Sequence, residues 1–169
     1  LEEIAALSNQ ISVEVYEFAM DKTQVTLYNV DKVPAIAIVS DLDYGIRFYG
    51  IPSGYEVQSL IEDILDVSRG ESGLSPETIL ALDTLKQPLH IQVFFAPRCP
   101  YCPRMVRLTH KLALQSEYIR ADAIELLEFP QLGEAYNVEG VPRTVINETV
   151  QIEGAVPEAD LLEKLMAAT

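Results

Sequence analysis

The sequence has few cysteines, few basic residues and no tryptophan. Only 2 of its 169 residues are cysteine, which excludes a disulfide-rich scaffold in a chain of this length. No apolar run approaches the roughly 18 residues of a transmembrane helix, so we expect no membrane span. Lysine and arginine total 12 against 26 acidic residues, which gives a net charge of −14. Because so acidic a surface repels phosphate backbones and anionic lipid, we expect neither nucleic-acid nor membrane partners.

The apolar content is high enough for a folded protein. Hydrophobic residues make up 49% of the chain, which excludes intrinsic disorder. A chain of 169 residues accommodates one large domain or two small ones. The question is then whether the two halves of the sequence are related.

An internal repeat connects the two halves. Residues 28–38 align with residues 136–146 at an offset of 108, and six of the eleven positions are identical. The same offset places the apolar run 11–18 on residues 119–126, which predicts a strand in each copy. Each copy then continues with a hairpin and an amphipathic helix. The predicted apolar face of the first such helix consists of Val57, Leu60, Ile61, Ile64 and Leu65.

The repeat predicts two units, residues 1–74 and 75–169. Ser75 followed by Pro76 is typical of a helix N-cap, and the β-branched and aromatic run that begins near His90 predicts a buried strand. In the first copy, the equivalents of this strand and of the helix after it would fall before Leu1. We therefore expect the first unit to be incomplete at its N-terminus.

Both cysteines belong to one C-x-x-C motif, Cys99-Pro100-Tyr101-Cys102. The motif follows the predicted strand and precedes a helix predicted from Pro103 to about Leu114. A helix N-terminus favours thiolate over thiol, because its N–H groups and its dipole attract negative charge. The two-residue spacing lets the second thiol reach the first. Cys99 is therefore the predicted nucleophile and Cys102 the predicted resolving thiol.

The surroundings of the motif are basic and contain an additional proline. Residues 98–111 include Arg98, Arg104, Arg107 and Lys111 and no carboxylate, and we expect these cations to favour the thiolate. Pro103, placed at the fourth helical position, would remove the first hydrogen bond within the helix. Our hypothesis is that Pro103 fixes the turn around the cysteines and shifts their redox potential.

Two other interpretations of the motif stay open. A zinc site needs four ligands, and only His90 and His110 are available to complete the pair of cysteines. A buried structural disulfide fits poorly with the basic surroundings. We interpret His110 as a residue of the helix surface, and the Glu62-Asp63 pair as solvated surface.

A second feature is the dipeptide Val141-Pro142, which precedes a predicted strand. Proline at the start of a central strand is unusual because it lacks the N–H that a ladder hydrogen bond requires. A cis bond and an ordinary trans bond both fit the residues.

The order of strand, C-P-Y-C, helix, Val-Pro, hairpin and final helix resembles the thioredoxin/glutaredoxin superfamily. Two such copies, with HIQVFFAPRCPYCPRMV in the second, resemble the protein disulfide oxidoreductase family of thermophilic archaea and bacteria. The resemblance implies an α/β fold of two tandem thioredoxin-like units. Each unit would then be a central mixed β-sheet flanked by helices.

The resemblance also assigns roles to residues around the cysteines. It implies that the Val141-Pro142 bond is cis, faces Cys99 and binds the substrate backbone. Pro100 and Tyr101 would shape the rim of the site, and with Arg98, Pro103 and Arg104 they complete our set of thiolate-tuning residues. Val93 stands six residues before Cys99, where thioredoxins have a buried aspartate. This difference implies that the site has no buried acid.

The implied function is dithiol–disulfide exchange with protein disulfides through a mixed-disulfide intermediate. We expect no metal and no cofactor other than the Cys99–Cys102 disulfide. Expected partners are protein disulfides and a thioredoxin reductase-like flavoprotein or a peroxiredoxin. A homodimer and a cytoplasmic location are further expectations. The alternatives are an electron-transfer domain that reduces a peroxiredoxin and a non-catalytic peptide-binding module.

Overall fold

The computed structural model describes residues 1–169 and contains seven helices and six strands. The helices are α1 (Glu2–Ala5), α2 (Lys22–Leu27), α3 (Glu56–Arg69), α4 (Pro76–Leu82), α5 (Cys102–Gln115), α6 (Pro130–Ala135) and α7 (Glu158–Ala167). The strands are β1 (Ala35–Val39), β2 (Asp43–Tyr49), β3 (Leu89–Phe95), β4 (Ile119–Glu125), β5 (Arg143–Ile146) and β6 (Val150–Glu153). None of these helices has both the length and the apolarity that crossing a membrane would require.

The six strands form one mixed sheet in the order β1-β2-β4-β3-β5-β6. Strands β2 and β3 each pair with β4 in parallel, and the other neighbours are antiparallel. The predicted mixed α/β fold is confirmed. Strands from both sides of the predicted boundary at residue 74 belong to this single sheet, so the division into 1–74 and 75–169 stays a prediction.

The central strands carry the apolar core. Phe48, Ala123 and Val93 lie side by side in the register of β2, β4 and β3, and each is fully buried. The Phe48 ring contacts His110 of α5, with 5.0 Å between ring centroids. This row of side chains therefore faces α5, and the strands hold that helix in place.

Residues 1–33 and 34–169 form two separately compact units. The first contains α1 and α2, and its residues 11–17 have no regular secondary structure. The strand predicted over 11–18 is therefore wrong. The equivalent β4 has a strand on each side, whereas residues 11–18 have no ladder partner.

The internal repeat is visible in backbone geometry. Helices α2 and α6 begin and end 108 residues apart, and so do the starts of β1 and β5. Asn29 and Asn137 follow the two short helices with left-handed φ values of 49° and 51°. The Gly50 N–H donates to the Pro34 carbonyl at 2.9 Å, and the Gly154 N–H donates to the Pro142 carbonyl at the same distance.

Helix α3 departs from its predicted apolar face. Val57, Ile61 and Leu65 are exposed by 41%, 38% and 44%, so much of that face is not core. Leu60 of the predicted face is buried, and Glu56, Ser59 and Asp63 are buried with it. The apolar periodicity indicated the helix correctly, but it did not indicate which side α5 covers.

Candidate active site

The two cysteines form a disulfide at the start of α5, with their Cα atoms 5.5 Å apart. Strand β3 ends at Phe95, and a tight turn follows, in which the Cys99 N–H donates to the Ala96 carbonyl at 3.0 Å. The helix begins at Cys102, so Cys99 lies before it. Cys99 is 9% exposed and Cys102 is fully buried, so the Cys99 sulfur is the more accessible of the two.

Two backbone groups lie against the Cys99 sulfur. The Cys102 N–H donates to Cys99 Sγ at 3.1 Å. The Val141 carbonyl oxygen is 3.7 Å from the same atom, and the Val141–Pro142 peptide bond is cis. An N–H group aimed at sulfur favours the thiolate of the reduced protein. The loop before β5 therefore lies beside the position that a substrate bound to Cys99 would occupy.

Pro103 does not have the position expected from the sequence. It is the second residue of α5, in the first turn, where an N–H has no partner within the helix. No helical hydrogen bond is therefore lost at Pro103, and the predicted disruption is wrong. The tuning role of Pro103 stays a prediction without this premise.

The basic residues near the motif fall into two groups. Arg98 and Arg104 are exposed and form no ion pair, and Pro100 and the 69%-exposed Tyr101 lie on the surface beside them. Arg107 instead points to α3. The number of unpaired cations around the cysteines is therefore smaller than the sequence predicts. The partners of Arg107 are the carboxylates of Glu62, Asp63 and Asp66.

A buried carboxyl group lies at the start of α3, beside the turn that precedes the disulfide, although Val93 contributes none. Glu56 is fully buried in the first turn of α3. The preceding N–H, that of Tyr55, donates at 3.1 Å to the carbonyl of Pro97, two residues before Cys99. Burial raises the pKa of Glu56 to about 7, while the Ser59 hydroxyl and His110 oppose the rise. The implied absence of a buried acid is therefore wrong.

The backbone approach between the two segments is close. A Cβ at Gly54 would lie 2.1 Å from the Pro97 carbonyl oxygen, and Gly54 has a left-handed φ of 60°. Only glycine satisfies both conditions. This contact places the start of α3 beside the turn that carries Cys99.

His110 and Asp63 are both buried, so the interpretation of each as a surface residue is wrong. The His110 Nδ1 and Asp63 Oδ2 atoms are 2.6 Å apart. His110 lies two turns after Cys102 on the covered side of α5. These corrections have one cause, which is the packing of α3 against α5.

The comparisons with known proteins agree with this geometry. Residues 89–167 match the thioredoxin domain family. A crystal structure of a protein disulfide oxidoreductase from Aeropyrum pernix is 31% identical, with a TM-score of 0.86, over 99% of this chain and 78% of that chain. The chain belongs to the thioredoxin-fold oxidoreductases.

Two further relatives are named as the F subunit of alkyl hydroperoxide reductase. The N-terminal domain structure from Enterococcus faecalis has a TM-score of 0.90 and 25% identity, over 97% of this chain and 80% of that one. The Pseudomonas putida protein is 28% identical over 98% of this chain. The chain spans about 30% of the length of the curated relatives it matches.

A thioredoxin-fold disulfide with one accessible sulfur is suited to thiol–disulfide exchange. The accessible Cys99 sulfur can attack or be attacked, and Cys102 is close enough to complete the exchange. A buried carboxyl group with a pKa of about 7, such as that of Glu56, can accept or return the proton of a thiol. Thiol–disulfide exchange is therefore the chemistry of this site.

The sequence contained a signal for the buried carboxylates. Glu56, Ser59 and Asp63 are spaced i, i+3 and i+7, which places them on one face of α3. The apolar stripe beside them was the stronger signal in the same helix. A polar stripe with helical spacing, opposite a C-x-x-C helix, would have identified Glu56.

Proposed function

We propose that the chain is a dithiol–disulfide oxidoreductase that exchanges disulfides of protein substrates through Cys99 and Cys102. The observation that supports this best is the arrangement around one sulfur. Cys99 Sγ accepts the Cys102 N–H and lies 3.7 Å from the Val141 carbonyl. An extended substrate segment beside Val141 would bring its own disulfide to this sulfur.

In the reducing direction, the Cys99 thiolate attacks one sulfur of the substrate disulfide. A Cys99–substrate bond forms, and the other substrate sulfur leaves as a thiolate. The Cys102 thiol then gives its proton to the Glu56 carboxylate and attacks Cys99 Sγ. The Cys99–Cys102 disulfide forms, and the second substrate thiolate leaves. Two electrons pass from the enzyme dithiol to the substrate.

The source of the electrons is a separate part of the proposal. Similarity to the F subunit of alkyl hydroperoxide reductase extends over nearly the whole chain, which favours a flavoprotein as the reductant and a peroxiredoxin as an acceptor. Electron transfer to a peroxiredoxin is therefore our second candidate function. We propose no metal for either function.

Reduction of insulin disulfides in the presence of dithiothreitol tests the first candidate. We expect Cys99→Ser to abolish the catalysed rate, and Cys102→Ser to accumulate a mixed disulfide that non-reducing electrophoresis and mass spectrometry detect. An active Cys99→Ser variant would overturn the assignment of the nucleophile.

A parallel assay with an oxidised peroxiredoxin as the acceptor separates the two candidates. Transfer to the peroxiredoxin at least tenfold faster than to insulin would favour the second candidate. If the Cys99→Ser/Cys102→Ser variant still protects unfolded proteins from aggregation and the wild type reduces neither substrate, the chain is a binding module.

A further inference from the structure

We propose that residues 50–55, in the first copy of the repeat, form part of the surface on which a protein that carries the substrate disulfide docks. Ile51 and Tyr55 are then specificity-determining residues, because they favour a protein disulfide over a small one. Neither residue takes part in the exchange of sulfur bonds. This inference deepens the proposed function and depends on it for the identity of the partner.

The topology brings this segment to the edge of the sheet that carries Cys99. Strands β2, β4 and β3 are parallel neighbours, so their C-terminal ends lie at one edge. Residues 50–55 follow β2, and the turn that carries Cys99 follows β3. Strand β5 lies on the other side of β3 and begins two residues after Val141. The Cys99 turn therefore lies between the Val141 loop on one side and the segments that follow β2 and β4 on the other.

Two hydrogen bonds hold the backbone of residues 50–55 in place. The Tyr55 N–H donates to the Pro97 carbonyl at 3.1 Å, which joins the segment to the turn that carries Cys99. The Ile51 N–H donates to Glu128 Oε1 at 2.7 Å, which joins it to the loop after β4. A backbone that is fixed before binding presents its side chains with little further loss of conformational entropy.

The side chains at this edge include four that are large, apolar or aromatic, and exposed. We call them the docking rim, and they are Ile51, Tyr55, Tyr101 and Leu127. Exposed apolar side chains are common one at a time, but a group of them around a reactive sulfur indicates an interaction surface. Tyrosine in particular is enriched in protein interfaces, where it binds through both its ring and its hydroxyl.

The equivalent loop of the second copy shows that the repeat does not require this exposure. Ala155 follows Gly154 there, in the position that Ile51 has after Gly50. Ala155 and the next residue, Val156, are both half-buried. The connection from hairpin to helix can therefore be made without an exposed large side chain. The first copy has one nonetheless, beside the turn that carries the disulfide.

The position of the sulfur identifies the partner. Cys99 is almost completely buried, so a disulfide that reaches its sulfur must come close to the turn. A protein that carries this disulfide then covers the residues on both sides of the turn, which are Val141 on one side and Tyr55 on the other. A small disulfide reaches the same sulfur without covering the docking rim. We therefore expect the partner to be a protein whose surface next to its disulfide is apolar.

Two disulfides of different size test the docking rim: insulin and bis(2-hydroxyethyl) disulfide. The measurement is the second-order rate constant with which each one oxidises the pre-reduced chain, followed by alkylation of the remaining thiols and mass spectrometry. We expect Ile51→Ser and Tyr55→Ser each to lower the rate constant for insulin about three- to tenfold. The rate constant for the small disulfide should not change. Because both disulfides react with the same sulfur, an effect on the thiolate would lower both.

Leu42→Ser is the matched control. Leu42 is 63% exposed and Ile51 is 62% exposed, but Leu42 lies in the turn between β1 and β2, at the opposite edge of the sheet. We expect this variant to have the wild-type rate constants with both disulfides. If Ile51→Ser and Tyr55→Ser leave the insulin rate constant unchanged, or lower both rate constants equally, the proposal is wrong.

A binding measurement separates this inference from the proposed function. The oxidised chain has no free cysteine and native insulin has no free thiol, so the two can be mixed without exchange. We expect insulin to shift the amide resonances of residues 50–55, and to bind more weakly to Ile51→Ser/Tyr55→Ser. If the wild type reduces neither disulfide but binds insulin at these residues, only the proposed function fails.

The opposite results would overturn the docking surface alone. If the wild type reduces both disulfides but insulin shifts no resonance of residues 50–55, the substrate docks elsewhere. If Ile51→Ser lowers the sedimentation coefficient of the chain and leaves the insulin rate constant unchanged, the docking rim is instead an interface with a second copy of this chain.

Discussion

The two copies of the repeat end in helices whose buried faces differ in polarity. Helix α7 of the second copy buries Leu161 and Leu165. Helix α3 of the first copy buries Leu60 and Val67, but it also buries the polar residues Glu56, Ser59 and Asp63. Because α3 packs against the helix that carries Cys102, its inner face holds the charges and hydroxyl that the disulfide site can use. The polarity of the buried face of a repeated helix thus depends on the element that the helix packs against rather than on its place in the repeat.

The turns before β1 and β5 also share a backbone pattern but differ in what lies against them. Both follow a short helix, contain an asparagine with left-handed φ and end in a proline whose carbonyl accepts a glycine N–H. Only the second turn lies against a sulfur atom, through the Val141 carbonyl. The contact with the disulfide therefore belongs to the second copy.

Arg107 gives the strongest test of the polar interface between α3 and α5. We expect Arg107→Met to lower the free energy of unfolding by about 3–5 kcal/mol, because it leaves the buried Asp63 without its cationic partner. Urea unfolding measures this effect. Arg69→Met, at the exposed end of α3, is the matched control and should have little effect. Adding Asp63→Asn to Arg107→Met should recover part of the loss, and no recovery would contradict the pairing.

Glu56→Gln tests the buried acid through pH. The pKa of Glu56 in the folded protein, about 7, is above its ordinary value of 4.5. The folded state is thus favoured below pH 4.5, and this contribution is lost as the pH rises through 7. Compared with the wild type, Glu56→Gln should gain stability on the order of 3 kcal/mol between pH 4 and pH 8. A difference independent of pH, in urea unfolding at both pH values, would show that Glu56 does not titrate in this range.

The equivalent glycines of the two hairpins provide a matched pair. Gly50 and Gly154 both have left-handed φ values, 84° and 73°. A Cβ at Gly50 would lie 2.6 Å from the Glu125 Cβ, whereas nothing lies within 4 Å of one at Gly154. We expect Gly154→Ala to cost about 1–2 kcal/mol from backbone conformation alone, and Gly50→Ala to cost about 1–3 kcal/mol more. Equal losses in thermal unfolding would remove this distinction between the copies.

The two asparagines give the smallest effect. Asn29→Ala and Asn137→Ala should each cost about 1 kcal/mol or less, because alanine tolerates a left-handed φ less well than asparagine. We expect only Asn137→Ala to raise the KM for a disulfide substrate, because its turn leads to Val141. Asparagine-to-glycine variants at both positions should retain stability. A raised KM in Asn29→Ala would contradict the assignment of the disulfide contact to the second copy.

Much of this architecture follows from the sequence. The wrong predictions about burial and strand pairing share a cause. The C-x-x-C motif, the cap of α4 and the repeat are local patterns, and the structure contains each one; for example, the Ser75 hydroxyl accepts the Thr78 N–H at 3.2 Å. The burial of His110 and Glu56 depends on which side of α3 meets α5. The periodicity of one helix does not contain that information. The missing strand at residues 11–18 likewise depended on neighbours that a single segment cannot specify.

The close approach of Gly54 to Pro97 has a consequence for dissecting or grafting the motif. The tetrad Cys99-Pro100-Tyr101-Cys102 is contiguous and looks transferable, yet the acid beside it comes from a segment more than 40 positions earlier. A fragment cut at residue 74 would keep both sulfurs and lose Glu56. Transplanting the tetrad and its helix into another scaffold would thus move both sulfur atoms without the buried carboxyl group of Glu56.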